Sequence, residues 1–174
     1  MAAAMAKTTD DLFARFDELG IETTTHEHPP LFTVEESKRL RGDLPGGHCK
    51  SLFLKDKKGQ LYLVVALEDR PVDLKRLRKT IGAGTLSFGK PDLLIEVLGI
   101  EPGSVTPFAL INDGAARVNV VLDKTMLDHN PLNYHPLTNG MTTAIAPGDL
   151  LAFIAATGHE ARVLDMDEAG DEGG

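Results

Sequence analysis

Residues 49–67 have the sequence CKSLFLKDKKGQLYLVVAL, in which two apolar runs flank a short polar turn. Gly59 stands where a tight turn requires a positive φ angle, so the stretch predicts a hairpin of strands 49–55 and 60–67. Both strands are apolar on both faces, which is typical of strands at the centre of a sheet. The hairpin therefore predicts the middle of the fold.

Lys50 stands at the head of the first apolar run, and strand alternation directs its side chain to the same side as Leu52 and Leu54. A lysine at a strand end can simply extend its ammonium group into water. The functional interpretation is that the ammonium group binds an anionic part of a ligand. The same alternation directs Cys49 to the opposite side, which predicts a packed thiol and argues against a nucleophile activated by Lys50.

A second segment, Gly103-Ser104-Val105-Thr106-Pro107, predicts a turn that exposes backbone amides before a new strand. A cation and bare amides together can hold an anionic or ester substrate, because both are attracted to negative charge. Lys50 and this turn are therefore candidate parts of one site.

Capping residues, apolar periodicity and terminal glycines or prolines mark the other elements. They predict helices near residues 10–19, 33–41, 73–79, 92–98 and 150–156, and strands near 21–26, 141–146 and 161–164. Residues 85–89 and 130–136 are predicted as loops. Asn112-Asp113-Gly114 lies between apolar runs and predicts a second hairpin, of strands 108–111 and 118–122.

Hairpins outnumber strand-helix-strand units among these elements, so the predicted fold class is mixed α/β. We expect a single domain with a mixed, mostly antiparallel, curled sheet flanked by helices. Three regions are predicted along the chain: a disordered leader at 1–8, the folded domain at 9–165 and an acidic tail at 166–174.

The composition is that of a soluble globular protein, with 174 residues of which 42% are hydrophobic and 25% charged. No apolar run approaches the roughly 18 residues that a membrane helix needs, so we expect no membrane association. The first residues lack the regions of a secretory signal, and Cys49 is the only cysteine, so no internal disulfide can form. These features predict a cytoplasmic protein.

The net charge of −8 hides a strong asymmetry along the chain. From Lys38 to Lys90 there are 13 Lys and Arg against 5 Asp and Glu, whereas the rest of the chain carries 5 against 21. A basic segment of this kind can be an ordinary solvated surface. It can also be a local site for phosphates on a protein that otherwise repels them.

Several enzyme classes are disfavoured because their motifs are missing. The chain has no Walker loop, no G-x-G-x-x-G after a strand and no H-E-x-x-H, and Gly82-Ala83-Gly84 lacks the third glycine. The six histidines form no compact ligand cluster in the sequence, so we expect no metal and no other cofactor.

Three motifs in order resemble one known family. They are His28-Pro29 followed by Thr33-Val34-Glu35-Glu36, the lysine-bearing strand Lys50-Ser51-Leu52-Phe53-Leu54, and the G-x-x-x-P loop from Gly103 to Pro107. Together they make the chain, from about Leu12 to Leu164, similar to the YbaK family of aminoacyl-tRNA editing domains, a module also inserted in many bacterial prolyl-tRNA synthetases. The segments from Leu132 to Asn139 and from Met141 to Phe153 resemble the free-standing prolyl-tRNA editing branch of that family.

The resemblance implies a deacylase that removes alanine from mischarged proline tRNA. It implies that Lys50 contacts the ribose or phosphate of the terminal adenosine and that His135 lies near the aminoacyl pocket. The aminoacyl portion would be held by Gly103, Ser104, Val105, Thr106 and Pro107. A vicinal ribose hydroxyl would help to activate water, which fits the lack of an obvious Ser-His-Asp triad. The implied partner is mischarged tRNA, with prolyl-tRNA synthetase or another translation factor as a second partner.

Three alternatives stay open at the level of sequence. The deacylase could act on another small amino acid, such as cysteine or serine. The basic segment could belong to a noncatalytic nucleic-acid-binding or regulatory module, although only 5% of residues are aromatic, which disfavours broad binding to single strands. The domain could also depend on a synthetase for tRNA recognition.

Overall fold

The computed structural model describes residues 6–29, 39 and 44–165. These residues form helices α1 (Thr9–Glu18), α2 (Leu74–Ile81), α3 (Pro91–Leu98) and α4 (Pro147–Ala156). The strands are β1 (Thr23–Glu27), β2 (Gly47–Asp56), β3 (Leu61–Leu67), β4 (Leu86–Phe88), β5 (Val118–Asp123), β6 (Leu132–Tyr134), β7 (Met141–Ile145) and β8 (Ala161–Leu164). Short 3-10 helices cover Pro102–Ser104, Pro107–Asn112 and Met126–Asp128. The first five residues of the predicted leader, the helix predicted at 33–41 apart from Arg39, and the tail at 166–174 lie outside the described residues.

The strands form one mixed sheet in the order β1-β7-β6-β2-β3-β5-β8, with β4 also paired to β2. Among the described strands, four pairings are antiparallel, namely β1 with β7, β6 with β7, and β2 with β3 and β4. Three are parallel, namely β2 with β6, β3 with β5, and β5 with β8. The predicted mixed α/β class and the central β2–β3 hairpin are confirmed.

Strand β2 is hydrogen-bonded along both of its edges. One edge pairs with β3 from Cys49 to Lys55. The other edge is divided, because β6 pairs with Gly47 and His48 while β4 pairs with residues 54–56. Within the described residues, the stretch around Lys50 therefore lies between two short partner strands on that edge.

Alternation along β2 separates two hydrophobic clusters. Phe53 enters the larger one, the main core, together with Leu63 and Val65 of β3. Leu54 enters the smaller one, the minor core, with Tyr62 and Val64. The main core receives residues from α1, α3, α4 and the 3-10 helix Pro107–Asn112, and the minor core receives Leu77 of α2. The sheet is thus covered by different helices on its two faces.

Local signals specify where the helices begin and end. Asp73 caps α2 by accepting hydrogen bonds from the amides of Lys75 and Arg76, and Gly82 ends the helix with a φ of 72°. Pro91 opens α3 and Gly99 ends it with a φ of 65°. The first helix has its cap at Thr8, slightly before the start near residue 10 that the sequence predicts. These helices were predictable because their signals are local.

Two of the predicted loops contain short strands, so those predictions are wrong. Residues 85–89 contain β4, which pairs with the end of β2, and the Gly89 amide donates to the Phe53 carbonyl at 2.9 Å. A Cβ atom at Gly89 would overlap the Phe53 ring, which explains why glycine stands there. Residues 130–136 contain β6, which pairs with β2 and β7. Strands of three residues are too short to show alternation.

The second predicted hairpin is also wrong. The segment predicted as strand 108–111 lies in the 3-10 helix Pro107–Asn112, where Thr106 Oγ1 accepts a hydrogen bond from the Phe108 amide. Its residues Phe108, Ala109 and Leu110 are fully buried, and an apolar run buried on all sides has no strand-specific period. Strand β5, predicted at 118–122, is present but pairs in parallel with β3 and β8.

Asp113 ends that 3-10 helix and ties it to the end of α4. Its carboxylate accepts hydrogen bonds from the amides of Arg117 at 3.0 Å and Val118 at 2.9 Å, and His159 Nε2 lies 2.8 Å away. Burial alone would raise the Asp113 pKa, but the bonds from His159 and the two amides outweigh burial and hold the pKa below its usual range. The aspartate of this Asp-Gly pair is therefore a buried hydrogen-bond acceptor and does not mark a hairpin turn.

We predict that Asp113→Ala lowers the free energy of unfolding by roughly 2–4 kcal/mol at pH 7, because three donors lose their acceptor. Urea denaturation measures the loss, and Glu160→Gln, a change at an exposed acid, serves as the control. The folded-state pKa of Asp113 is lowered, so its contribution is complete above the unfolded-state pKa of about 3.9 and declines as the pH falls through the folded value. A difference between variant and wild type that persists unchanged at pH 2 would contradict this account.

Candidate functional site

Lys50 lies on the face of β2 that carries the minor core. Its cross-strand neighbour is Ala66, which is 1% exposed, and Leu52 and Leu54 follow on the same face. The alternation expected from the sequence is confirmed. The Lys50 side chain is half-buried, and within the described residues no ion pair or hydrogen bond engages its ammonium group. The cation is therefore available to a ligand.

The parallel pairing of β2 with β6 gives Lys50 and His135 the same side of the sheet. Gly47 pairs with Leu132 and His48 with Asn133. If this register continues for two more residues, Lys50 comes opposite His135. Tyr134 enters the main core, so alternation directs Lys50 and His135 to the other face of the sheet.

One nitrogen of His135 is already engaged. Nδ1 lies 3.0 Å from the carbonyl oxygen of Met141, and because a carbonyl only accepts, Nδ1 carries a proton. In the neutral ring, Nε2 then keeps its lone pair. Burial lowers the pKa of His135, the bond to Met141 opposes this shift, and the neighbouring His28 lowers the pKa further. His135 thus offers a neutral hydrogen-bond acceptor on the side of the sheet that carries Lys50.

His28 and Thr142 complete this corner of the site, although neither was among the predicted site residues. His28 Nε2 lies 2.8 Å from Thr142 Oγ1, and its Nδ1 lies 2.9 Å from the Pro29 carbonyl oxygen. The rings of His28 and His135 are 6.4 Å apart between centroids. β1 and β7 pair antiparallel, so every second residue of each strand faces the same side of the sheet. This alternation is the sequence feature from which His28 and Thr142 could have been predicted as site residues.

Residues 103–107 approach the loop that follows His135. The Cβ position of Gly103 is 3.9 Å from Nδ2 of Asn139, which lies in the chain between His135 and β7. The segment begins in the 3-10 helix Pro102–Ser104 and ends at the cap of the next 3-10 helix. It leads into a helix and not into the strand that the sequence predicted.

Only part of this segment can donate backbone hydrogen bonds to a ligand. The Ser104 amide donates to the Glu101 carbonyl at 2.9 Å, and Pro107 has no amide proton. Within the described residues, the amides of Gly103, Val105 and Thr106 have no hydrogen-bond partner. Thr106 is fully buried, Val105 is half-buried and Gly103 is exposed. The reachable donors are therefore the amides of Gly103 and Val105.

Cys49 points away from Lys50 and packs against the main core. Its Sγ lies 3.7 Å from the Gly47 carbonyl oxygen. Burial raises the pKa of the thiol to about 12, although hydrogen bonding with Tyr134 and the Asn133 backbone opposes the rise. The expected packed thiol is confirmed, because Cys49 packs against the main core on the face of β2 opposite Lys50.

Two features are absent from residues 6–29, 39 and 44–165. No three His, Cys, Asp or Glu side chains lie close enough to hold a metal ion together. No helix is long and apolar enough to cross a membrane.

Comparison with known proteins points to one family. The model of the aminoacyl-tRNA editing domain matches residues 28–153, a range that contains Lys50, the 103–107 segment and His135. The chain belongs to the aminoacyl-tRNA editing domain family. The resemblance inferred from three short motifs is thereby confirmed.

This editing domain has relatives of similar length. It is 42% identical over 151 residues to prolyl-tRNA synthetase associated domain-containing protein 1 of Danio rerio, covering 86% of this chain and 82% of that one. It is 37% identical over 156 residues to the prolyl-tRNA editing protein ProX of Acetoanaerobium sticklandii, covering 89% and 95%. A crystallised protein described as a candidate trans-editing enzyme for prolyl-tRNA synthetase has a TM-score of 0.72 at 22% identity, covering 93% and 98%. That last likeness shows a shared fold.

We predict that Cys49 of the folded editing domain reacts with iodoacetamide at pH 8 on the order of a hundredfold more slowly than in the urea-unfolded chain. The raised pKa leaves little thiolate in the folded state, and thiolate is the reacting species. Mass spectrometry of the time course measures both rates. Equal rates in the two states would contradict a packed thiol.

Proposed function

We propose that this editing domain hydrolyses the ester of mischarged tRNA in trans, with alanyl-tRNA for proline as its substrate. The observation that carries the proposal is the register of β2 and β6, which directs Lys50 and His135 to one face within a chain of the editing family. The ProX relative, 37% identical and covered over 95% of its length, is named a prolyl-tRNA editing protein. That name supports proline tRNA as the carrier of the ester.

The scissile bond joins an amino acid to the ribose of the terminal adenosine. Hydrolysis requires that the ester be held in place, that one water attack its carbonyl carbon, and that the oxygen of that carbonyl be stabilised as it becomes negative. None of these steps requires a protein nucleophile. In the proposal, a vicinal ribose hydroxyl helps to activate the water, and no metal or other cofactor takes part.

Lys50 is proposed to hold the phosphate or ribose of the terminal adenosine. Its half-buried position supports this role, because an ammonium group beside the apolar Leu52 and Ala66 binds an anion in a less polar setting than bulk water. The anchor fixes the 3′ end of the tRNA, so that the ester reaches the same place in each turnover.

The Gly103 and Val105 amides are proposed to hold the aminoacyl portion at its carbonyl. Gly103 is exposed, and the absence of a side chain lets a ligand approach its backbone closely. Ser104, Thr106 and Pro107 would act through the shape of the segment, since the Ser104 amide is already bonded and Thr106 caps the following helix.

His135 is proposed to accept a hydrogen bond from the substrate through Nε2. The bond from Nδ1 to Met141 fixes the ring, and burial favours the neutral form that has an acceptor. The partner would be the amino group of the aminoacyl portion or the attacking water. In either case the role disappears when Nε2 is protonated.

A second sieve explains why alanine would need a separate hydrolase. A synthetic site built for proline cannot strongly reject alanine, because each missing methylene changes binding by only about 1–3 kcal/mol. A smaller hydrolytic pocket can exclude proline by size. The bulk around His135 and Gly103 would set this limit.

Mischarged tRNA is the proposed partner, and prolyl-tRNA synthetase or another translation factor is proposed as a second partner that passes the tRNA on. The reaction would take place in the cytoplasm, where charged tRNA is used. Faster hydrolysis on addition of the synthetase would support the second partner.

The direct test uses purified protein and tRNA for proline charged with alanine, with correctly charged prolyl-tRNA and mischarged cysteinyl- and seryl-tRNA as a panel. We expect loss of the alanyl ester alone, and equal rates with and without a chelator. Survival of the alanyl ester with loss of the cysteinyl or seryl ester would replace alanine by that amino acid. Salt-sensitive binding of uncharged tRNA with no cleavage of any ester would favour the noncatalytic alternative.

The same assay tests the anchor. Lys50→Met keeps the apolar stem of the side chain but removes the cation, and we expect kcat/KM to fall by about ten- to a hundredfold, the range for losing one charge-assisted contact. Lys55→Met is the matched control, because Lys55 lies on the same strand but on its other face and is exposed. Equal rates for wild type and Lys50→Met would refute the assigned role.

His135 predicts the shape of the pH profile. Its pKa is lowered, so we expect kcat/KM to stay level through the usual histidine range near 6.5 and to fall only at lower pH, where Nε2 becomes protonated. His135→Gln keeps an acceptor that does not titrate, so it should retain more activity than His135→Ala. Its profile should also lack the fall of kcat/KM at low pH, which is the acid limb. The control is His28→Gln, which should keep that limb. An acid limb that survives in His135→Gln would assign it to another group.

A further inference from the structure

We propose that a basic surface on α2 and the β2–β3 turn binds the acceptor stem of the tRNA. The proposal rests on the proposed function and extends it, because it says where the duplex lies when the terminal adenosine is at Lys50. The surface, here named the α2 basic surface, consists of Lys57, Lys58, Lys75, Arg78, Lys79 and Arg162. Five of these side chains are exposed and Arg78 is half-buried.

The sequence of α2 gives the helix one apolar side and one cationic side. Leu77 is buried in the minor core, and Leu74 and Ile81 pack against it. The remaining charged positions are all Lys or Arg, and the helix itself contains no acid. The only acid at its start, Asp73, caps the helix and lies 3.6 Å from the Nε of Arg76. Within the described residues, Lys75, Arg78 and Lys79 have no ion-pair partner.

Helix stability does not explain this arrangement. The helix dipole favours cations in the last turn, where Arg78 and Lys79 lie, but disfavours a cation in the first turn, where Lys75 lies. Lys75 and Lys79 are also four residues apart on one face, a spacing at which like charges repel. Because these cations do not stabilise the helix, we infer that this face of α2 binds an anion from outside the protein.

Neighbouring elements extend the surface beyond the helix. The Asp56 carboxylate accepts a hydrogen bond from the Gly84 amide at 2.9 Å, which holds the β2–β3 turn against the segment after α2. Lys57 and Lys58 lie in that turn. Arg162 of β8 donates to the carbonyls of Thr80 at 3.0 Å and Ile81 at 3.4 Å, so it lies at the end of the same helix. The cations of the turn and Arg162 therefore lie near the C-terminal end of α2, where Arg78 and Lys79 stand.

The α2 basic surface leads away from Lys50. β3 ends at Leu67, which pairs with Cys49, and α2 starts a short loop later and ends beside the turn at the far end of the hairpin. Its eight residues span about 12 Å. A tRNA that places its 3′ end at Lys50 can thus continue along α2 with its duplex.

The chemistry of the α2 basic surface fits a duplex better than an unpaired strand. Proteins bind double-stranded RNA mainly through phosphates and shape, whereas they bind unpaired bases by stacking on aromatic rings. None of the six side chains is aromatic. The rest of the chain is strongly acidic, so phosphates would be repelled elsewhere.

The test compares two alanyl esters, one on full-length tRNA for proline and one on the trinucleotide CCA, which has no stem. The variant Lys75→Gln/Lys79→Gln removes two cations but keeps good helix formers. We expect its kcat/KM to fall about tenfold on the tRNA and to change less than twofold on the trinucleotide. The slope of log kcat/KM against log salt on the tRNA should decrease by about two.

The control variant is Lys7→Gln/Arg15→Gln, which removes the same charge just before α1 and within it, where α1 packs on the opposite face of the sheet. It should behave as wild type on both esters, and circular dichroism should show equal folding of all proteins. Equal losses on the two esters, no loss on the tRNA, or the same loss in the α1 control would overturn the proposal. If wild-type protein cleaves neither ester, the proposed function fails. The stem proposal is then decided by binding of uncharged tRNA, where an unchanged salt slope in Lys75→Gln/Lys79→Gln overturns it.

Discussion

The structure depends on β2 being a central strand whose second edge is shared by two short partners. A strand with neighbours on both edges must satisfy its backbone within the sheet and bury side chains on both faces, which accounts for its almost continuous apolar sequence. β6 and β4 pair only with the two ends of that edge. Within the described residues, Lys50 lies between these two ends, and its side chain leaves the sheet on the face of the minor core. A ligand that meets the ammonium group therefore approaches that face of the sheet.

The candidate site combines two side chains of opposite character. Lys50 supplies a positive charge, while His135 supplies an uncharged acceptor, and the bond to Met141 fixes which nitrogen has that role. Such a pair can distinguish the phosphate or ribose end of a substrate from its amino end. The amides of Gly103 and Val105 would then meet the carbonyl between them. Orientation in this scheme comes from three chemically different contacts, and it does not require an activated protein nucleophile.

The sequence predicts those parts of the fold whose causes are local. The 49–67 hairpin, the Asp73 cap, and the ends of α2 and α3 at Gly82 and Gly99 are all visible within a few residues. Strands β4 and β6 and the 3-10 helix Pro107–Asn112 are not, because their conformation depends on partners distant in the chain. Asp113, for instance, bonds to His159, which no turn rule anticipates. The same limit applies to the site. Lys50 was identifiable from its odd position in a strand, whereas the side of the sheet that it shares with His135 follows only from the parallel pairing of β2 and β6. His28 and Thr142 become relevant only once β1 and β7 are paired.

The alternation of side chains along β2 also determines how insertions and deletions affect the site. Cys49 and Lys50 face opposite sides of one sheet, so adding or deleting a single codon between Gly47 and Cys49 would exchange their faces. The ammonium group would enter the main core and the thiol would take its place on the ligand side. A substitution in β2 thus changes one side chain at a time, whereas an insertion or deletion changes the faces of several side chains at once. The spacing between Gly47 and Lys50 is for this reason as much a heritable part of the site as the lysine itself.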